Sequence, residues 1–339
     1  MSEDHLSNET SISAELTETG IKAAARSRAI SSFDRLLGNM FEMANAPIER
    51  RNAKTRAVAE GEVKLIEAAA QKAIERMGYD TQFADRAINA NFKKLAREQE
   101  NREAVVTAAI EDLRTQPPTD DQNATGPEDL SPEFVDRFES YAESASTDEL
   151  RARWGKVLAS EIRAPGTFNR KVLRATDELD SKTARIFEQI CQARLGRSIV
   201  KGLLENELSF MEIAALVSAG LILEPGLGQV SRLTPAENTW AFNDRRSVLV
   251  FNSEPAPQYD RKILMLDGNA PAIPVYVLTD VGFALSSILT YDVDAIFSRL
   301  FHRVRELIPE RKLFALEATA EGQLVPKAIS PKGNDIGKS

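Results

Sequence analysis

Apolar residues recur every three or four positions through the middle of the chain, and this pattern predicts a run of short helices between Ser131 and Gln192. Phe134, Val135, Phe138, Tyr141 and Ala142 share one face of the first, with Ser131 as cap and Pro132 in the first turn. A second helix opens at Ser146-Thr147-Asp148-Glu149, where Ser146 and Glu149 form a capping box and the acids suit the positive helix end. Its stripe is Leu150, Trp154, Val157, Leu158 and Glu161, apolar except for Glu161. Pro165-Gly166 ends it. Thr167 is placed to cap a third helix with Phe168, Val172 and Leu173, and Asp180 a fourth with Ala184, Phe187, Ile190 and Cys191. Four short capped amphipathic helices predict a compact bundle.

Upstream, Ile21 to Ala44 reads as a helix whose apolar residues, Ile30, Phe33 and Leu36 among them, pack on the succeeding helices rather than on a membrane. Two longer helices are predicted, one through Val58 to Ile74 and one through Phe92 to Leu113, broken at Gly78-Tyr79-Asp80. Their small residues suit close helix approach, in an antiparallel hairpin or an oligomeric coiled coil, although the repeat is too irregular for a strict heptad. The Pro-, Asn- and Asp-rich stretch Gln116 to Pro127 reads as a linker.

Downstream the pattern changes. Leu208 to Ala219 predicts a helix, Gly220 to Leu223 a short strand, and Ser247 to Asn252, Lys262 to Leu266 and Ile273 to Leu278 strands. Thr279-Asp280 caps a helix, and Asp294 to Ile308 is another, with Ile296, Phe297, Leu300, Phe301 and Val304 inward.

These residues carry two resemblances. The run from Asp148 to Phe187 resembles a bacterial family catalogued as domain of unknown function 2806 (DUF2806). It carries the acidic helix start at Asp148 and Glu149, then Trp154, Leu158, Pro165, Gly166, Thr167, Phe168, Asn169, Arg170, Lys171, Val172 and Leu173. The polar run Arg97 to Glu103 is similar to the helix preceding this motif, and the resemblance extends over roughly residues 50–290. It implies a bacterial or phage source and a place in a phage-defence or stress locus, and no established activity. Separately, Ala219, Gly220, Leu221, Ile222, Tyr276, Leu278, Thr279, Gly282 and Leu285 resemble winged-helix domains, where a helix ends in Gly-Leu-Ile and Leu-Thr with a downstream Gly opens a final helix. The segment between is too long for a simple wing. The candidate reading helix, Glu207 to Ser218, has two Glu and no basic residue, which disfavours base reading in DNA.

Composition narrows the chemistry. The chain has 339 residues, a net charge of −8 and 28% charged residues, with room for two or three domains. The acidic balance opposes a globally basic nucleic-acid binder. The single cysteine, Cys191, excludes an internal disulfide framework and fits a cytoplasmic setting; its helical position makes it a core residue. No apolar run is long enough to cross a membrane, and the acidic start is no secretory signal. The two histidines, His5 and His302, have no partners at metal-ligand spacing. Gly-x-Ser-x-Gly, dinucleotide-fingerprint and Walker patterns are absent. Among the acids no pair is singled out for carboxylate catalysis, the basis of a third reading as a hydrolase or nuclease.

The expected fold is mainly α: a disordered start (1–19), a long-helix arm (20–115), a linker (116–130), a central helical bundle (131–200), a small winged-helix-like α+β module (201–325) and a disordered tail (326–339). The expected function is non-enzymatic, through a protein partner or homo-oligomer, with no cofactor, metal or catalytic residue. The alternative is nucleic-acid binding. Binding candidates are Arg50, Arg51, Lys54 and Arg56, then Lys93, Lys94 and Arg97, and the pair Arg170 and Lys171; many Glu residues are interleaved with the first two sets, which also suits a solvated, salt-bridged face. Trp154, Pro165, Gly166 and Phe168 are structural candidates.

Overall fold

A computed structural model of the protein describes residues 23–37, 81–119, 122, 126–226, 228–236, 239–244, 247–252, 261–267, 270–307, 313–319 and 323–331. The chain is mainly helical, with two small antiparallel sheets in its C-terminal region. It divides into two compact units, Met1–Leu173 and Arg174–Ser339.

The first unit contains α1 (Ala23–Leu37), α2 (Thr81–Thr115), α3 (Pro132–Ser144) and α4 (Asp148–Arg163); α5 (Arg170–Glu178) spans the division. The long helix α2 lies against α4, α3 and α1, so a helix assigned to the arm shares its core with the bundle. Small residues make this approach possible: a Cβ on Gly155 of α4 would lie 2.5 Å from the Ala108 Cβ and 2.9 Å from the Ala109 nitrogen of α2. Val105, Val106, Ala109 and Leu113 of α2 are buried, as are Phe134, Phe138, Trp154 and Leu158. Arg163 closes the end of α2, donating to the Asp112 carboxylate at 2.6 Å and the Asp112 and Gln116 carbonyls at 2.7 and 2.8 Å. The other long helix, through Val58 to Ile74, the break at Gly78-Tyr79-Asp80 and the expected disordered start (1–19) lie outside the described residues. In α1, Phe33 and Leu36 are buried, in line with packing rather than membrane contact.

Caps fall close to their expected places. Ser131 Oγ accepts from Phe134 N at 3.1 Å, and Asp180 Oδ1 from Lys182 N and Thr183 N, both at 3.0 Å. Two shift along the chain. Thr147, not Ser146, caps α4, its Oγ1 accepting from Leu150 N at 3.2 Å. Asn169, not Thr167, caps α5, its Oδ1 accepting from Lys171 N and Val172 N at 3.0 and 3.2 Å. Thr167 donates back to the Ala164 carbonyl at 2.6 Å.

The second unit begins with α6 (Ser181–Cys191), β1 (Arg194–Leu195), β2 (Ser198–Val200), a 3-10 turn (Lys201–Leu203) and α7 (Phe210–Ser218). There follow β3 (Gln229–Arg232), β4 (Thr234–Ala236), β5 (Thr239–Asp244), β6 (Ser247–Asn252), β7 (Met265–Asp267) and β8 (Ala270–Val277). Helices α8 (Asp280–Ser286) and α9 (Val293–Leu307) precede β9 (Leu313–Ala318) and β10 (Leu324–Pro326). In the first sheet β8 is central: β3 pairs along one side, while β2 and β7 share the other, all antiparallel. The second sheet runs β10-β9-β6-β5-β4. Its strands β4 to β6 come from the long segment between β3 and β8, which therefore builds part of a second sheet, completed by β9 and β10, rather than a wing loop.

Residues 327–331, expected within a disordered tail, have specific partners. Lys327 pairs with Asp294 at 2.6 Å and Glu317 at 3.1 Å, and His302 Nε2 donates to the Ser330 carbonyl at 2.9 Å. Residues 332–339 lie outside the described ones.

Candidate functional site

The predicted cations are spread over the surface. Lys93, Lys94 and Arg97 are exposed on α2, with Lys94 paired to Glu98 at 3.6 Å. Arg170 and Lys171 are exposed at the start of α5. Arg50, Arg51, Lys54 and Arg56 lie outside the described residues.

Of the structural candidates, Pro165, Gly166 and Phe168 meet in one place, and Trp154 is buried elsewhere along α4. Trp154 is 1% exposed, stacked on Tyr141 with centroids 4.8 Å apart and edge-on to Phe138 at 5.8 Å. At the far end of α4, Gly166 turns the chain with φ +87°, a left-handed conformation that suits glycine. Pro165, Gly166, Phe168 and Arg170 line a cavity of about 490 Å3 with Phe134 and Glu161. Glu161 holds the turn together: its buried carboxylate accepts from Gly166 N at 2.6 Å and from Phe168 N at 2.8 Å. The odd residue of the apolar stripe is thus an internal cap.

Burial raises the Glu161 carboxyl above its ordinary value, against the opposing pull of the backbone donors of Phe168, Gly166 and Thr167. The native state therefore binds this proton more tightly than the unfolded chain. Its contribution is fully present below the unfolded value of about 4.3 and declines as pH rises through the raised folded value. Glu161→Ala leaves the buried Phe168 N–H and the more exposed Gly166 N–H without this acceptor, and we expect a loss of about 1–3 kcal/mol. Urea denaturation should show the loss to be larger at acidic than at neutral pH.

Cys191 is fully buried, and desolvation pushes its thiol up to about 12. We expect no reaction of the native protein with an aromatic disulfide reagent at mildly alkaline pH, and one thiol per chain after denaturation. Among the described residues no three His, Cys, Asp or Glu side chains are grouped to hold a metal ion. No described helix is long and apolar enough to cross a membrane.

The feature that periodicity does not reveal is on α7. Its sequence, Phe210 to Ser218, is apolar at every position except Glu212 and Ser218, yet Leu216 is its one buried residue. Phe210 is 81% exposed and Met211 74%. The helix start is firmly built: Ser209 and Glu212 form a capping box, with Glu212 Oε2 accepting from Ser209 N at 2.7 Å. Beside it, a cleft of about 260 Å3 is lined by Ile190, Leu203, Leu204, Leu208, Glu205 and Glu212. From Leu203 to Glu224 the chain has four Glu and no Lys or Arg. Hydrophobicity predicts burial for α7; only the packing of α6 and the sheets leaves its first turn uncovered.

Residues 85–201 match the family model described as Protein of unknown function (DUF2806). The DUF2806 match runs from α2 through α3 to α6 and ends as the 3-10 turn begins. It includes Trp154, Pro165, Gly166 and Phe168 and is narrower than the expected span of roughly 50–290; the residues around Ala219 and Thr279 fall beyond it. No curated protein and no solved structure matches the chain.

Proposed function

We propose that the chain is a cytoplasmic, non-enzymatic interaction protein that engages a protein partner through the first turn of α7. The observation that carries this reading is the exposure of Phe210 and Met211 on a rigidly capped helix. Two large apolar side chains held in water are a standing cost that a partner would relieve. The carboxylates of Glu205 and Glu212, which line the cleft beside this turn, favour a partner segment that sets basic residues beside an apolar anchor, while Glu207 is already paired with Lys262. The same carboxylates repel a polyanion, which weighs against nucleic acid at this surface.

A winged-helix-like module is the frame we infer for α7. The Gly220-Leu221-Ile222 turn and the Leu278-Thr279 step, 58 residues apart, lie side by side: Thr279 N donates to the Leu221 carbonyl at 3.1 Å, and Thr279 Oγ1 to that of Gly220. A Cβ on Gly282 would lie 1.9 Å from the Leu221 oxygen, which accounts for glycine there.

The double variant Phe210→Ser, Met211→Ser should leave the melting curve of the protein within about 0.5 kcal/mol of its parent, as exposed positions do. It should abolish the higher-mass complex that the parent forms in its native cells, read by size-exclusion chromatography with light scattering. A complex unaffected by the double change would remove α7 as the docking element. A second reading, nucleic-acid binding, rests on the exposed Lys93, Lys94 and Arg97. It predicts affinity for short DNA or RNA that falls steeply with salt.

A further inference from the structure

One face of the first sheet of the second unit opens into a cavity of about 690 Å3, within the range of small-molecule sites. Alternate residues of β8, Pro274 and Tyr276, line it with Val230 of β3. Lys201, at the start of the 3-10 turn, reaches over this surface and holds its Nζ 4.3 Å from the centre of the Tyr276 ring. The ammonium is partly buried, which lowers its pKa. Among the described residues no carboxylate pairs with it; the ring face is its counter-charge. Arg261, on the rim, is exposed and likewise has no ion pair among the described residues.

The acids of the cavity are largely spoken for. Glu207 pairs with Lys262 at 2.6 Å, and Asp267 pairs with Arg232. Glu205 is left against Lys201 and Arg261, with Arg303 adding a third cation at 3.9 Å from Glu306. The surplus is positive even though the chain as a whole is acidic. A half-desolvated ammonium with a π face as its one partner is under-compensated, and a multiply charged oxyanion is the ligand that completes it. An ammonium and a guanidinium on one wall suit phosphate, the first as a point charge and the second as a fork.

We propose that this cavity binds a small phosphate-bearing molecule, its phosphate held by Lys201 and Arg261 and its body resting on Pro274 and Val230. The cavity shares Leu204, Glu205, Glu207 and Leu208 with the cleft beside α7, but Lys201 and Arg261 do not line that cleft, so substitutions there test the phosphate site apart from the α7 surface.

The probes are inorganic pyrophosphate and adenosine monophosphate, titrated into the full chain by calorimetry against chloride at matched ionic strength. The expected result is saturable one-to-one binding that weakens about tenfold or more in the Lys201→Gln, Arg261→Gln double variant. It should be unchanged in Lys93→Gln, Lys94→Gln, which removes as much charge elsewhere. Tighter binding of the nucleotide than of pyrophosphate would show that the apolar wall contributes; the reverse would place the affinity in the phosphates. Arg261→Gln alone, at an exposed position, keeps the test valid should Lys201→Gln fail to fold. No saturable binding of either probe, or equal loss in the Lys93, Lys94 control, overturns the proposal.

Discussion

Trp154→Ala lowers the stability of the protein by about 3–5 kcal/mol, the range for removing a large aromatic side chain from a packed core. The indole is 1% exposed and in contact with two rings, Tyr141 stacked and Phe138 edge-on. Each such pair contributes about 0.5–1.5 kcal/mol beyond burial, so part of the loss is specific to an aromatic. Trp154→Phe, which keeps a ring against both neighbours, should cost less than half as much. The surroundings are poorly able to collapse into the gap, because Gly155, the next residue, already sets the α4 backbone against Ala108 and Ala109. Urea denaturation of the two variants and the parent measures this. A midpoint for Trp154→Ala equal to that of the parent would mean that the indole is not a core residue, and an exposed recognition role would take its place.

Arg28→Ala is expected to cost as much, about 3–5 kcal/mol, because it removes three hydrogen bonds from a charged donor, each worth roughly 1.5–3 kcal/mol and less where part-buried. Arg28 is fully buried in α1, and its guanidinium is held by carbonyl oxygens. Nε donates to Ile162 at 2.8 Å, Nη1 to Pro127 at 2.8 Å and Nη2 to Gln122 at 3.1 Å. The Ile162 carbonyl sits in the last turn of α4, where the helix dipole is negative, and supplies charge compensation without a carboxylate. Burial pulls the Arg28 pKa down from its usual range, and the group stays charged because that range is so high. Truncation leaves three carbonyls short of a donor and frees the segment through Gln122 and Pro127 from α1. Arg28→Lys keeps the charge but has one nitrogen where the fork has three, and should recover no more than about half of the loss. Faster proteolytic nicking near Pro127 in Arg28→Ala, at denaturant levels where the parent resists, is the local signature. A stability within about 1 kcal/mol of the parent would show that this segment is held by something else.

Much of the fold is legible where packing obeys periodicity. The apolar positions of α9, Ile296, Phe297, Leu300, Phe301 and Val304, are all buried, and β6 spans Ser247–Asn252 as its pattern predicts. Thr279 caps α8 as its sequence suggests, since a cap is a local device. The losses have equally physical causes. Apart from Phe314, Leu313–Ala318 is made of strong helix formers, and pairing with β6 overrides that preference in β9. Arg28 sits among alanines and serines and reads as a solvent residue; its three acceptors lie 94, 99 and 134 positions away, beyond any local pattern. Glu161 is visible as the polar exception in an apolar stripe, a signal from which a buried carboxylate with backbone donors can be inferred. For α7 the sequence argues burial, and its exposed first turn is a property of the surrounding packing alone.

The central claim is that Phe210 and Met211 meet a protein and not a nucleic acid. It is tested most directly by placing a photo-cross-linking amino acid at position 210 in the full chain, expressed in its native cells, with Arg174 as the control position. The expected result is a discrete adduct with a polypeptide whose cross-linked segment carries Lys or Arg beside an apolar residue, formed at 210, absent at 174, and weakened when Glu205 is changed to Lys. No adduct at 210, or one with DNA or RNA, would contradict it.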